Sequence, residues 1–292
     1  MSVIKQVFVW PDGSLPTQSM LDHALEWASR LRVPLHAGCK GTLAGQAIVS
    51  SRDNPTGSVP SETGYALLRD YAERCERLGI GWSMESSVWE NSDQGSRSST
   101  LHLFGTQNGG GLKLLPVPSS SEIKRLSGAP IMLCPPIWKP LSRVLLLNTS
   151  WKPSEEFFAL ASQVCKAFQV SPVVLTLART ERRARLRQQI AQQIYSHHFL
   201  PADFDFVVGR ELPDAVASVA NWRRCSLVLA EQQHEGSWWY WRGPGDPSEL
   251  IRLARTLSVL VVPVPAQPAV GARPGAAGER AHVSPKPTRQ IR

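Results

Sequence analysis

One loop in the first half of the sequence combines residue types that bind phosphate. The stretch GTQNGGGLKLLPVPSSS runs from Gly105 to Ser121, directly after the apolar residues 101–104, and it places a glycine cluster ahead of a serine cluster. Glycine lets backbone N–H groups approach phosphate oxygens closely, and the N-terminus of a following helix favours negative charge. The pattern allows three interpretations: a phosphate-binding turn, a degenerate copy of one, or a loop that needs only flexible residues.

A second candidate is an aromatic cluster in the last quarter of the sequence. Trp238, Trp239, Tyr240 and Trp241 are consecutive and are followed by Arg242. Aromatic rings beside an arginine stack on bases or sugars, and they also form the centres of protein interfaces. The same rings can simply fill space within the fold. We favour packing or a protein interface over a ligand platform.

No catalytic constellation accompanies these clusters. The sequence contains no nucleophile elbow, no P-loop with its lysine, and no histidine pair at metal-ligand spacing. The cysteines lie tens of residues apart, which favours buried free thiols over a metal site. We therefore expect a binding protein without a metal site rather than an enzyme. The cysteines are Cys39, Cys75, Cys134, Cys165 and Cys225.

An internal repeat organises the chain. When the sequence is shifted by 137 residues, Val7 falls on Val144, Pro16 on Pro153 and Val33 on Val170, so a strand, a turn, a helix and a strand recur in register. In the first copy, Met20, Ala24 or Leu25, Ala28 and Leu31 have helical spacing. Continuous apolar strands that alternate with helices predict a parallel sheet covered on both faces.

The two copies differ in their later elements. In the second copy, Leu186, Ile190 and Ile194 lie four residues apart, which predicts a helix with a basic first turn and this stripe buried. In the first copy, the polar segment between Trp89 and Leu101 is too short for a full crossover helix, so the third helix should be missing or reduced. We predict domains at 1–136 and 142–265, a Pro-rich linker at 137–141 and a disordered basic tail at 266–292.

This duplicated element order resembles the universal stress protein family, over residues 4–136 and 142–265. The resemblance implies an α/β fold of two tandem, doubly wound, five-stranded parallel sheets of the adenine nucleotide alpha hydrolase type. It also implies that the fifth strands, PIMLCPP and VLVVPVP, meet across a pseudo-two-fold axis and make a pseudo-dimer of the two halves. A homodimer of whole chains is left open.

The resemblance also implies a nucleotide site in the first copy. Many members bind adenine nucleotides through an Asp after the first strand and a motif of Gly, two residues, Gly, nine residues, then Gly with Ser or Thr. Here the first gap is one residue longer, a serine replaces the third glycine, and Pro116 and Pro118 remove two N–H donors. We expect weak ATP binding at most. The implied binding residues are Asp12, Gly105, Gly109, Gly110, Ser119 and Ser120.

The second copy departs further from the motif. Asn148 stands where the first copy has Asp12, so an amide replaces the carboxylate. After the fourth strand the sequence offers Gly236 and then Gly245, which is followed by Asp246. A carboxylate at a helix N-terminus occupies the favourable end of the helix dipole and repels an anion. We expect this site to be more degenerate than the first.

Charge and hydropathy limit the partners. The formal net charge is +8, and the segment 264–292 carries five basic residues against one acidic residue. No apolar stretch is long enough to cross a membrane, and the N-terminal segment lacks the signature of a signal peptide, so we expect a cytoplasmic protein. We do not expect nucleic acid to be the main partner.

Three functions remain open from the sequence. The favoured hypothesis is a regulatory or scaffold protein of the stress response with degenerate, non-catalytic adenine-nucleotide sites. One alternative is an ATP-binding switch that uses the first-copy site with slow or no hydrolysis. The other is a protein that binds nucleic acid or an acidic partner through the basic tail.

Overall fold

The first half of the chain alternates short strands with two long helices. The computed structural model describes residues 4–9, 16–38, 62–85, 99–105, 129–148, 153–198, 201–209, 212–231 and 252–263. The described strands of the first half are β1 (Gln6–Val9), β2 (Leu35–Gly38), β3 (Trp82–Glu85), β4 (Thr100–Gly105) and β5 (Ile131–Cys134). Its described helices are α1 (Pro16–Leu31) and α2 (Glu62–Arg77).

The second half repeats this alternation with a further helix. Its described strands are β6 (Val144–Asn148), β7 (Pro172–Ala178), β8 (Asp203–Val208), β9 (Leu227–Glu231) and β10 (Ser258–Val262). Its described helices are α3 (Glu155–Phe168), α4 (Glu181–Ser196) and α5 (Leu212–Trp222).

Helix α3 shows how local sequence sets the boundaries. Ser154 is the N-cap, and its Oγ accepts a hydrogen bond from the backbone N–H of Phe157 at 3.1 Å. Glu155 and Glu156 lie in the first turn and Lys166 in the last, so the side-chain charges complement the helix dipole. The helix ends at Gln169, which adopts a left-handed conformation.

All ten strands form one sheet in the order β3-β2-β1-β4-β5-β10-β9-β6-β7-β8. Neighbouring strands within each half are parallel, and only β5 and β10 pair antiparallel among the described strands. In each half the strand order reverses beside the first strand, which lies between the second and the fourth. Because β5 and β10 are antiparallel, the carboxyl ends of the strands in the two halves lie at opposite ends of the strand direction.

The junction between the halves is reciprocal. The β5–β10 pairing is centred on Met132 and Leu260, which occupy corresponding positions beside β4 and β9. On one face of the sheet, Gln163 of α3 accepts a hydrogen bond from the N–H of Ile4 at 3.0 Å and donates one to its carbonyl at 3.1 Å. At the same positions shifted by 137 residues, the carboxylate of Glu26 accepts a hydrogen bond from the N–H of Leu141.

Apolar side chains cover both faces of the sheet. Along β6, Val144 and Leu146 join a core with α1, α2, α3 and α4, while Leu145 and Leu147 join a second core with α5. The first core extends across the junction, where the rings of Trp27 and Phe168 lie 5.1 Å apart. The hydrophobic core is therefore continuous across the junction on this face.

Most of the predicted elements are confirmed, and one burial prediction is wrong. The mostly parallel α/β sheet is present, and Met20, Ala24 and Ala28 of α1 are buried. Helix α4 forms as predicted, but Leu186 is 51% exposed and Ile190 and Ile194 are only partly buried. Ala184, Ala191 and Tyr195 make the buried face instead, because the sheet takes the neighbouring side of the helix.

Candidate ligand site at the carboxyl ends of the strands

The point where the strand order reverses is the expected ligand site of an open α/β sheet. In this chain it lies at the carboxyl ends of β1 and β4 in the first half, and of β6 and β9 in the second. The two positions are compared most directly through the last residues of β4 and β9. These residues are Gly105 and Glu231.

Gly105 is the described member of the predicted first-half site. It ends β4 and pairs with Cys134 of β5. Its place at the carboxyl end of the fourth strand agrees with the predicted position of the first motif glycine. The other predicted members lie outside the described residues; they are Asp12, Gly109, Gly110, Ser119 and Ser120.

Asn148 ends β6 and is turned toward the neighbouring strand. It is 6% exposed, and its Nδ2 donates a hydrogen bond to Oγ1 of Thr176 on β7 at 3.3 Å. Thr176 is fully buried. One N–H of the amide that replaces the first-copy carboxylate is therefore already used within the sheet.

Glu231 brings a buried carboxylate to the same end of the sheet. It ends β9 and is 5% exposed. Its Oε1 accepts a hydrogen bond from the backbone N–H of Ser154, the N-cap of α3, at 2.7 Å. Charge-assisted bonds of this kind are strong, and the positive end of the α3 dipole favours the carboxylate further. An internal anion therefore occupies the N-terminus of α3.

Tyr195 of α4 lies near enough to this carboxylate to interact with its charge. Its side chain is fully buried, and its ring packs against Phe158 at 5.0 Å and Phe157 at 6.4 Å. Burial and then the negative charge of Glu231 raise the pKa of Tyr195, so the phenol stays neutral. The second-half position is a packed, hydrogen-bonded arrangement around Glu231.

The registers of the strands show that Glu231 and Gly105 correspond. Val7 of β1 lies opposite Leu101 of β4, and Val144 of β6 lies opposite Leu227 of β9. Counting four residues onward on β4 and β9 reaches Gly105 in the first half and Glu231 in the second. A carboxylate therefore stands at the position where the first half has no side chain.

Sequence reasoning missed Glu231. The available signal was a glutamate at the end of the buried strand SLVLAE, in the place that a glycine takes in the other copy. The glycines that were predicted instead, Gly236 and Gly245, lie outside the described residues, as do the rings of residues 238–241.

Solved structures identify the fold where sequence comparison does not. No family model and no curated protein matches the sequence. The crystal structure of a universal stress protein from Archaeoglobus fulgidus DSM 4304 matches with a TM-score of 0.59 at 12% identity, over 89% of this chain and 98% of that chain. The chain has the universal stress protein fold. A match over 89% of this chain extends into both of its halves.

Two further structures share the universal stress protein fold of this chain. A protein from Pseudomonas aeruginosa UCBPP-PA14, provisionally assigned to the universal stress proteins, matches with a TM-score of 0.57 at 14% identity, over 90% of this chain and 94% of that chain. The cytoplasmic domain of a prokaryotic cation chloride cotransporter matches with a TM-score of 0.51 at 12% identity, over 88% and 95%.

The described cysteines of this universal stress protein fold are buried free thiols. Burial raises the pKa of Cys75 and Cys225 to about 11 and of Cys165 to about 12, so these thiols are poor nucleophiles. Among the described residues no cluster of His, Cys, Asp and Glu could hold a metal ion. No helix within the described ranges is long and apolar enough to cross a bilayer.

Proposed function

We propose that this chain is a non-catalytic regulatory or scaffold protein of the universal stress protein type, acting in the cytoplasm. Its two halves are divergent copies that form a pseudo-dimer, and it has at most one adenine-nucleotide site, in the first half. The observation that carries this proposal is the buried Glu231 carboxylate at the position of Gly105.

The carboxylate argues against a nucleotide in the second half for two reasons. Its negative charge repels phosphate oxygens, and it already uses the N–H of Ser154 at the start of α3. Displacing it would leave either a buried charge or a buried N–H without a partner, which costs about 1–3 kcal/mol for each neutral group and more for a charged one. Asn148 is likewise held by Thr176.

The reciprocal junction supports the pseudo-dimer. Two corresponding helices make corresponding contacts, Gln163 to Ile4 and Glu26 to Leu141, and the fifth strands pair about their own midpoint. A two-fold interface has this property, since each partner presents the same patch to the other. The paired strands also leave neither fifth strand free to pair with another chain.

The comparison structures fit a role without catalysis. The same fold forms the cytoplasmic domain of a prokaryotic cation chloride cotransporter, so it also occurs within a transport protein. Fold alone does not assign function. We infer a regulatory role because the second half keeps the scaffold while its ligand position is filled by the chain itself.

A second candidate is an ATP-binding switch, and Gly105 is the observation that favours it. The first half retains a residue without a side chain at the carboxyl end of β4, which leaves room for a ligand to approach the backbone. Such a switch would need the predicted first-half residues, Asp12 included, to bind ATP and change the binding of a partner.

Equilibrium dialysis of labelled ATP with magnesium tests the proposal. We expect no more than one ATP per chain, with binding abolished by Gly105→Glu and unchanged by Glu231→Gln, which alters the corresponding residue of the other half. Two bound ATP molecules, or binding that survives Gly105→Glu, would contradict it. Phosphate release by the same samples would favour the switch, because the scaffold is proposed to be non-catalytic.

A further inference from the structure

The start of helix α4 presents an exposed basic surface that the proposed function does not use. We call it the arginine face, and it consists of four arginines and one leucine that follow β7 closely in the sequence. All five side chains are exposed. They are Arg179, Arg182, Arg183, Arg185 and Leu186.

The charge of the arginine face is only partly compensated. Glu181 is the acidic residue of the first turn, and it pairs with Arg185 at 2.6 Å. Among the described residues, neither Arg182 nor Arg183 forms an ion pair. Burial and then the positive charge of Arg183 lower the pKa of Arg187, which indicates repulsion between neighbouring guanidinium groups.

The position of these arginines is unfavourable for the helix itself. Arg182 and Arg183 lie in the first turn, where the helix dipole is positive. The N-cap residue Thr180 makes no side-chain hydrogen bond to the first turn, so no side-chain cap offsets the repulsion. An anionic partner would relieve both deficits, whereas helix stability alone does not explain two arginines at this position.

Leu186 favours one class of anionic partner over another. It is 51% exposed and lies one turn after Arg182 and Arg183 on the same side of the helix. An exposed leucine beside two arginines matches a segment that carries both carboxylates and an apolar side chain. Single-stranded nucleic acid is bound instead on aromatic rings, and the described exposed side of α4 offers none.

We propose that the arginine face binds an acidic segment of a partner protein, with carboxylates on the arginines and an apolar side chain on Leu186. The surface lies on the second half, whose ligand position is closed by Glu231. The interaction therefore does not depend on nucleotide binding, and it gives the second half a role of its own.

The test uses the full chain and a short fluorescein-labelled peptide of glutamates with one central leucine, measured by fluorescence anisotropy at low salt. We expect Arg182→Gln with Arg183→Gln to weaken binding about tenfold, because two charge pairs are lost. Leu186→Ala should weaken it about threefold through lost apolar contact. The control, Arg69→Gln with Lys139→Gln, makes the same charge change at two exposed positions elsewhere and should change binding less than about twofold.

Three results would overturn the proposal. The first is absence of peptide binding by the wild-type chain, and the second is an equal loss of peptide affinity in the two double variants. The third is a single-stranded oligonucleotide of equal charge that binds more tightly than the peptide and whose affinity does not change in Leu186→Ala. Far-UV circular dichroism checks that each variant is folded. We expect the native spectrum, because all the substituted side chains are exposed.

Discussion

The two halves place opposite residues at the same point of the same sheet. Gly105 ends β4 without a side chain, while Glu231 ends β9 with a buried carboxylate bonded to the N-terminus of α3. The strands around both positions keep the same order and register. Two halves with the same strand order and register can therefore end corresponding strands with a residue that has no side chain or with a buried, hydrogen-bonded carboxylate.

The largest expected effect on stability comes from removing the carboxylate that distinguishes the second half. Glu231→Ala leaves the N–H of Ser154 without its acceptor and removes a charge-assisted bond, so the free energy of unfolding should fall by about 2–4 kcal/mol. Glu231→Gln keeps an acceptor and should lose about 1 kcal/mol. Urea denaturation measures both, and equal losses would mean that the hydrogen bond to Ser154 does not matter.

His23 is a second place where the halves differ. The corresponding residue of the second half is Leu160, and both side chains are buried. Burial lowers the pKa of His23 to about 4, and its Nε2 has no hydrogen-bond partner among the described residues. Because the folded-state pKa of His23 lies below the usual value of 6.5, the stability contributed by neutral His23 is fully present above pH 6.5 and is lost as the pH falls toward 4.

His23→Leu installs the second-half residue and should remove this pH dependence. When the pH is lowered from 7 to 5, the free energy of unfolding of the variant should rise by about 2 kcal/mol relative to that of the wild type. Urea denaturation at the two pH values gives the difference. The exposed His197→Gln serves as the control and should show no such gain. A gain for His23→Leu that is the same at both pH values would contradict the burial argument.

The smallest effect concerns the reciprocal pair at the junction. Burial raises the pKa of Glu26 despite its hydrogen bonds from Trp138 and Leu141 and the charge of Arg30. The ionised carboxylate is therefore disfavoured in the folded state, and this costs stability as pH rises above the usual value of 4.5. Gln163, at the corresponding position, carries no charge.

Glu26→Gln should make the two halves of the junction alike. The free energy of unfolding should rise by about 0.5 kcal/mol at pH 7, because an amide can both accept from and donate to the backbone of Leu141. This gain should disappear near pH 4, where the Glu26 carboxyl of the wild type is no longer ionised. The reverse change, Gln163→Glu, should lose stability at pH 7 and recover part of it at pH 4. Opposite signs for the two variants support the reciprocal junction, and equal signs contradict it.

Repetition and periodicity were enough to predict the elements that position the site. The helical spacing of Met20, Ala24 and Ala28 marked the buried side of α1 correctly. The same logic failed on α4, where large apolar residues suggested one face and the sheet took another. Ala184 and Ala191 are buried there because small side chains allow the helix to approach the strands closely, and periodicity weighs large residues more heavily.

The candidate site was harder to predict because its decisive residue belongs to no motif. Gly105 was predicted because glycine clusters have a known chemistry, and its role stays a prediction although it ends β4 as expected. Glu231 is a single carboxylate at a strand end, and only the register of β6 with β9 and the contact with Ser154 reveal what it does. A hydrogen bond between residues far apart in sequence leaves no local pattern to read.

Photolabelling with azido-ATP and magnesium reports which half of the chain binds the nucleotide. After labelling of the full-length chain, proteolysis and mass spectrometry locate the modified peptides. We expect label only in peptides from residues 1–136, and loss of that label in Gly105→Glu. Label in peptides from residues 142–265 would contradict the proposal that Glu231 closes the second half.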